Sequence, residues 1–212
     1  MKESTLIPNQ AYARLTSQAQ IERTSQALKA HGFQVFVVES AQEAKDAFQQ
    51  VVPAGAEVFT SSSTTLNQLG LMSEIDQPGG RYASVRVKFA QMDPKTQGRE
   101  MQKMGATPEY VVGSVHAVTE TGSLLVASAS GSQLAPYAAS AEHVIWMVGT
   151  QKIVPTIEEA FKRVEEYTYP LEDARALKAY GMNSAINKLL IVHREVNPTR
   201  ATVILIKENL GF

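Results

Sequence analysis

Apolar and polar positions divide the chain into short alternating units. Residues 16–30 set Ala19, Ile21 and Leu28 among polar neighbours at helical spacing, and His31-Gly32 ends the pattern, which predicts a helix. FQVFVV (residues 33–38) is a β-branched and aromatic run, and SAQEAKDAFQQVV after it reads as a helix whose Ser40 and Glu43 have capping-box spacing. Pro53 and Gly55 punctuate, AEVFT (56–60) reads as a buried strand, and SSSTTLNQLGL opens a second, short helix. Strand, helix, strand, helix predicts a parallel sheet, whose ligands bind outside the carboxyl ends of its strands.

Beyond Gln77-Pro78-Gly79-Gly80 the pattern loosens: residues 81–97 carry a candidate strand, and a helical segment starting at Pro94 runs towards Met104. YVVGSVHAVT (110–119) and SLLVAS (123–128) flank the Glu120-Thr121-Gly122 turn and predict a hairpin-like pair. HVIWMV (143–148) reads as a buried strand ending at Gly149. A helix follows from Pro155 to Tyr167, with Thr156 near its cap and Glu158 and Glu159 complementing its dipole. LEDARALKAYGMNSAIN is helical with a break at Gly181, and LLIVHREV, Asn197-Pro198 and ATVILIKE resemble two strands joined by a turn. The expected fold is therefore α/β, a mainly parallel sheet flanked by helices with a β-rich second half. With no internal repeat or low-complexity linker, residues 1–212 are expected to form one domain.

Composition narrows the chemistry. Hydrophobic residues make up 44% and charged residues 19% of 212, enough for a core that needs no staples. Cysteine is absent, which excludes iron–sulfur ligation, thiolate nucleophiles, disulfides and sulfur-bound zinc. The opening MKESTLIPNQAYARL lacks an apolar core of signal-peptide length, and no run reaches the ~18–20 apolar residues that span a bilayer, so no membrane span and a cytoplasmic location are expected. A formal net charge of −1, with both signs dispersed, argues against nucleic-acid binding. Arg81, Arg86 and Lys88 form a local basic run that reads first as a solvated face.

Two features carry candidate chemistry. Ser61, Ser62, Ser63, Thr64 and Thr65 lie between a strand and a helix start, where hydroxyls, backbone N–H groups and a helix dipole suit a phosphate or carboxylate. Some of the five must serve as caps, and the run has no glycine of the kind a dedicated phosphate loop uses. Glu120, in a turn between apolar segments, is the candidate acid, base or nucleophile, against the plain reading of a solvated turn carboxylate. Thr121, Gly122 and Gly113 flank these segments and are candidates for close approach to a ligand, or simply turn residues. His116 lies four residues before Glu120, but in a strand that spacing is about 13 Å, and neither that pair nor His31, His143 and His193 has metal-ligand spacing. No metal and no cofactor are expected.

GSVHAVTETGSLLVAS followed by HVIWMVGTQKIVPTIEEAF resembles the central signature of the lactate-utilisation (LUD) family, whose members show a Glu-Thr-Gly step and then a strand leading to Lys-Ile-Val-Pro-Thr. VFTSSSTTLNQLGL is similar to the family's strand, Ser/Thr loop and helix, and HREVNPTRATVILIKENLGF to one subgroup's carboxyl terminus. The resemblance covers most of the chain and is weakest over residues 79–105. It implies a fold related to sugar-phosphate isomerases and CoA transferases. It also implies a role in L-lactate oxidation to pyruvate beside partner proteins that carry iron–sulfur clusters.

Three readings stay open. The first is a LUD component that binds a small anionic ligand (a carboxylate, a phosphate or a CoA ester) between the hydroxyl run and the Glu120 turn. The second is a CoA-transferase-like or isomerase-like enzyme, since Glu120-Thr121-Gly122 is similar to the Glu-Asn-Gly nucleophile step of CoA transferases, with Thr in place of Asn. The third is a non-catalytic scaffold whose β-prone terminal segment LLIVHREVNPTRATVILI pairs with a partner or forms a homo-oligomer.

Overall fold

The computed structural model describes residues 4–212, so the first three residues of the opening segment lie outside it. A 3-10 turn (Gln10–Ala13) precedes α1 (Gln18–Ala30). Helix α1 begins at Ser17, whose hydroxyl accepts from the Gln20 N–H while the Gln20 side chain accepts from the Ser17 N–H, a reciprocal capping box. The expected alternation follows: β1 (Gln34–Val38), α2 (Ala41–Val51), β2 (Glu57–Thr60), α3 (Thr64–Gln68) and α4 (Leu71–Ile75). Ser40 caps α2 through the Glu43 N–H, but the Glu43 carboxylate accepts from Glu39 N–H, so only half of the expected capping box forms.

The basic stretch expected as a strand is mostly helical. After β3 (Ala83–Ser84) the chain enters α5 (Val85–Phe89), because the Ser84 hydroxyl accepts from the N–H groups of Arg86 and Val87 and caps a helix there. Helix α6 (Pro94–Ala106) starts at Pro94, as predicted. The next strands are β4 (Tyr110–Gly113), β5 (Ala117–Thr119), β6 (Leu124–Ser128), β7 (His143–Gly149) and β8 (Ile153–Val154). Helix α7 (Ile157–Arg163), capped by Thr156, runs through a wider π turn (Val164–Thr168) into α8 (Tyr169–Tyr180) and ends at Gly181 with φ 72°. Strands β9 (Lys188–Val192) and β10 (Ala201–Ile206) complete the described elements.

Six strands form a parallel sheet in the order β1-β10-β7-β4-β2-β3, flanked by helices, and four form a mixed sheet, β8-β5-β6-β9. Two local expectations change as a result. Strands β5 and β6 pair antiparallel across the Glu120-Thr121-Gly122 turn, but β4 belongs to the other sheet. Strands β9 and β10 do not form a hairpin: ATVILI lies between β1 and β7 in the parallel sheet, and β9 pairs with β6.

Burial explains the split. HVIWMV and ATVILI are apolar on both faces because both faces are covered. Val144, Trp146, Val148, Val203 and Leu205 pack against α1 and the β5–β6 pair, whereas Ile145, Met147, Ile204 and Ile206 pack under α2, α3 and α4. Each such aliphatic side chain contributes about 1.5–3 kcal/mol relative to an exposed one. The mixed sheet turns Val118, Leu124 and Val126 towards the parallel sheet and Ala117 and Leu125 towards α7. The segment joining β4 to β5, Ser114–His116, therefore bridges the two sheets.

Candidate functional site

At the carboxyl ends of β2, β4 and β7, beside the mixed sheet and the α7–α8 segment, lies a cavity of about 450 Å³. Each parallel strand contributes the loop that follows it: Ser61 to Thr65 after β2, Ser114 to His116 after β4, and Lys152 after β7. Ser128, Thr168 and Arg175 close it from β6 and the helical segment. This is where open α/β sheets hold ligands.

All five hydroxyl residues line the cavity, with different tasks. Ser61 is buried, donates to the Val112 carbonyl at 3.3 Å and shares a hydrogen with the Tyr137 hydroxyl at 2.7 Å. Ser63 caps α3 through the Leu66 N–H. Ser62 accepts from Arg86 Nη2 at 3.2 Å, and Thr65 meets the Lys152 ammonium nitrogen at 3.0 Å. Helix α3 has five residues, too few for a strong dipole. Positive charge comes instead from the Arg86 guanidinium.

Lys152 is 1% exposed. Its Nζ contacts Thr65 Oγ1 at 3.0 Å, Ser114 Oγ at 3.1 Å and the Val115 carbonyl at 3.1 Å, all neutral oxygens. Burial, and then the charge of Arg163, hold this amine well below the ordinary lysine range. Arg163 is itself buried, donating through Nη1 to the His116 carbonyl and to Thr168 Oγ1, while its Nε and Nη2 have no partner among the described residues. Burial lowers its pKa to about 10. Arg86 is anchored through Nε to the Thr60 carbonyl at 2.6 Å. Among the described residues neither Lys152 nor Arg86 pairs with a carboxylate, whereas Arg175 is neutralised by two 2.7 Å bonds to Glu172.

His116 supplies an uncharged donor to the cavity wall. Its Nδ1 accepts from the Ala127 N–H at 2.9 Å, which puts the ring proton on Nε2. Burial, followed by Lys152 and Arg163, pushes its pKa down to about 3. Among the described residues no three His, Asp or Glu side chains are grouped to hold a metal ion, and no helix is long and apolar enough to cross a membrane.

The structure separates Glu120 from the hydroxyl run. Its carboxylate accepts from Gln20 Nε2 at 2.8 Å and from Arg23 Nε and Nη2 at 2.9 and 2.6 Å, so it ties the β5–β6 turn to α1. Burial alone would raise its pKa, but the bonds from Gln20 and Arg23 and the charge of Arg23 outweigh it, and the net shift is downward. Thr121 is exposed, and its hydroxyl bonds to that of Thr119. Gly122, at φ +85°, lies so close to α1 that a Cβ would come within 2.8 Å of the Ala27 carbonyl carbon. None of these three lines the cavity, and neither does Gly113, although Gly113 supports it: a Cβ there would meet the Tyr137 hydroxyl at 1.7 Å and Ser61 Oγ at 2.0 Å.

Sequence reasoning passed over Lys152, Arg86 as a cavity residue, and His116 outside a metal role. The readable signal was Lys152 itself, a cation set between HVIWMV and IV where both neighbours are strands.

Fold and cavity together define an α/β protein with a mainly parallel sheet and a polar, hydroxyl-lined cleft at its strand ends. The chain belongs to the LUD domain family, whose profile matches residues 21–206. It is similar to the crystal structure of a DUF162 family protein from Deinococcus radiodurans at a TM-score of 0.53 and 12% identity, covering 91% of this chain and 99% of that one. A weaker likeness, TM-score 0.34 at 16% identity, is to eIF2B beta from Chaetomium thermophilum, covering 66% of this chain and 46% of that one. No curated protein matches.

Proposed function

We propose that this LUD protein binds a small carboxylate or phosphorylated ligand in the cavity and serves cytoplasmic oxidation of L-lactate to pyruvate, beside partners that carry iron–sulfur clusters. The observation that supports the reading is charge: Arg86 lines a hydroxyl-rich cavity beside the Ser62 hydroxyl, without a carboxylate partner among the described residues. An anion supplies the missing counter-charge, and the hydroxyls of Ser62, Thr64 and Thr65 add neutral donors. The CoA-transferase reading has less support, since its nucleophile would be Glu120, and Arg23 and Gln20 hold that carboxylate outside the cavity.

Thermal unfolding in the presence of L-lactate, pyruvate, inorganic phosphate and acetyl-CoA tests the ligand class. A ligand at 100 times its Kd adds about 2.7 kcal/mol of stability. At least one of these anions is expected to raise Tm, and Arg86→Gln is expected to reduce the rise; no shift with any of them sinks the anion site. Normal growth on L-lactate after deletion of the gene opposes the lactate assignment.

A further inference from the structure

Lys152 has only neutral oxygens around its nitrogen, so no charged partner favours the ammonium over the amine. Ser114 Oγ donates to the Met147 carbonyl at 2.6 Å, so towards Lys152 it accepts, and the Val115 carbonyl can only accept. The third neighbour, the Thr65 hydroxyl, accepts from the nitrogen at 3.0 Å and donates to the Leu210 carbonyl at 3.3 Å, so an uncharged nitrogen with two hydrogens keeps its lone pair free. No carboxylate among the described residues lies within 4.0 Å to hold a proton on the nitrogen. Although almost wholly buried, the side chain forms part of the cavity wall. Buried amines of this kind act as nucleophiles towards carbonyl carbon.

We propose that Lys152 forms an imine with a small 2-oxo acid bound in this cavity, whose carboxylate is received by Arg86 and the hydroxyls of Ser62 and Thr64. The proposal rests on the anion-site reading and names its ligand class. The Nζ lone pair attacks the keto carbon, and the C=O electron pair moves onto oxygen. A proton passes from nitrogen to that oxygen, giving a carbinolamine. The nitrogen lone pair then closes C=N as the C–O bond breaks, the remaining N–H proton is passed to the departing oxygen, and water leaves, with no change of oxidation state. The Thr65 hydroxyl, within 3.0 Å of the nitrogen, is placed to relay the proton. Burial and Arg163 favour the unprotonated amine from which this sequence starts.

The whole protein is incubated at about pH 7 with pyruvate and sodium cyanoborohydride, digested, and its lysine peptides are quantified by mass spectrometry; each unit by which an amine's pKa falls raises its free fraction about ten-fold. The reduced pyruvyl adduct is expected on the Lys152 peptide in roughly ten-fold excess or more over any other lysine. In Lys152→Met, checked for folding by circular dichroism, the total adduct falls to the level of the remaining lysines. Uniform labelling of all lysines, or none at Lys152, in the wild-type chain overturns the imine whatever the variant does. A parallel thermal shift with pyruvate and no reductant separates the two readings: stabilisation without an adduct removes the imine and keeps the anion site, and the absence of both signals removes the imine and leaves the anion site to be decided by the other three anions.

Discussion

Glu120 shows how one residue's role turns on partners far away in the chain. Gln20 and Arg23 come from a helix about a hundred positions earlier (separations 100 and 97), so nothing in the local sequence TETG reveals them. Once paired, the carboxylate is a structural tie. Arg23 is 57% exposed, and solvent screens the pair, so Glu120→Gln is expected to cost about 1 kcal/mol and no more. Because its pKa is lowered on folding, this contribution is present above the ordinary glutamate range and fades as pH falls through the folded value. Urea midpoints at neutral pH measure the loss. Ligand-induced stabilisation should be unchanged in the variant, and its disappearance would return Glu120 to the binding site. The hydroxyl run was legible by contrast, since five hydroxyl residues between a strand and a helix exceed what capping needs.

Among elements, the loop after β2 meets the π turn at Pro136–Ser140 through a hydrogen bond, Ser61 to Tyr137, with Gly113 leaving room for it. Gly113→Ala is expected to destabilise by about 1–3 kcal/mol through overpacking. Tyr137→Phe, which removes the hydroxyl that the new methyl would strike, should restore part of that loss in the double variant. A cycle of urea midpoints decides, and strictly additive losses would show that the clash with the Tyr137 hydroxyl is not the cause. Element types were mostly readable, because capping residues such as Ser17, Ser40 and Thr156 act over one turn. The exception is α5, where alternating basic residues imitate a strand and the Ser84 cap decides for helix. Which strands pair was not readable: β9 and β10 adjoin in sequence and lie in different sheets.

For the whole molecule, the bridge between the sheets carries a proton-sensitive group. His116 accepts the Ala127 N–H only when neutral, and its pKa is about 3 in the fold against an ordinary 6.5, so its contribution to stability is complete above about pH 6.5 and is lost as pH falls towards 3. Stability should drop between pH 7 and 5 by at most about 1.4 kcal/mol per unit from this group. His116→Asn, which keeps an acceptor but does not titrate, should flatten that slope; equal slopes in the two proteins would exclude His116 as the source. By itself the sequence determined most of the elements, the absence of thiol chemistry, the family and the hydroxyl loop, because each depends on composition or on residues within a turn of one another. Tertiary structure alone decided that Lys152, Arg86 and His116, rather than Glu120, stand at that loop. The reason is that burial and charge pairing arise where distant segments pack, and the order of strands in a sheet is set by the faces they bury together, not by their order in the chain.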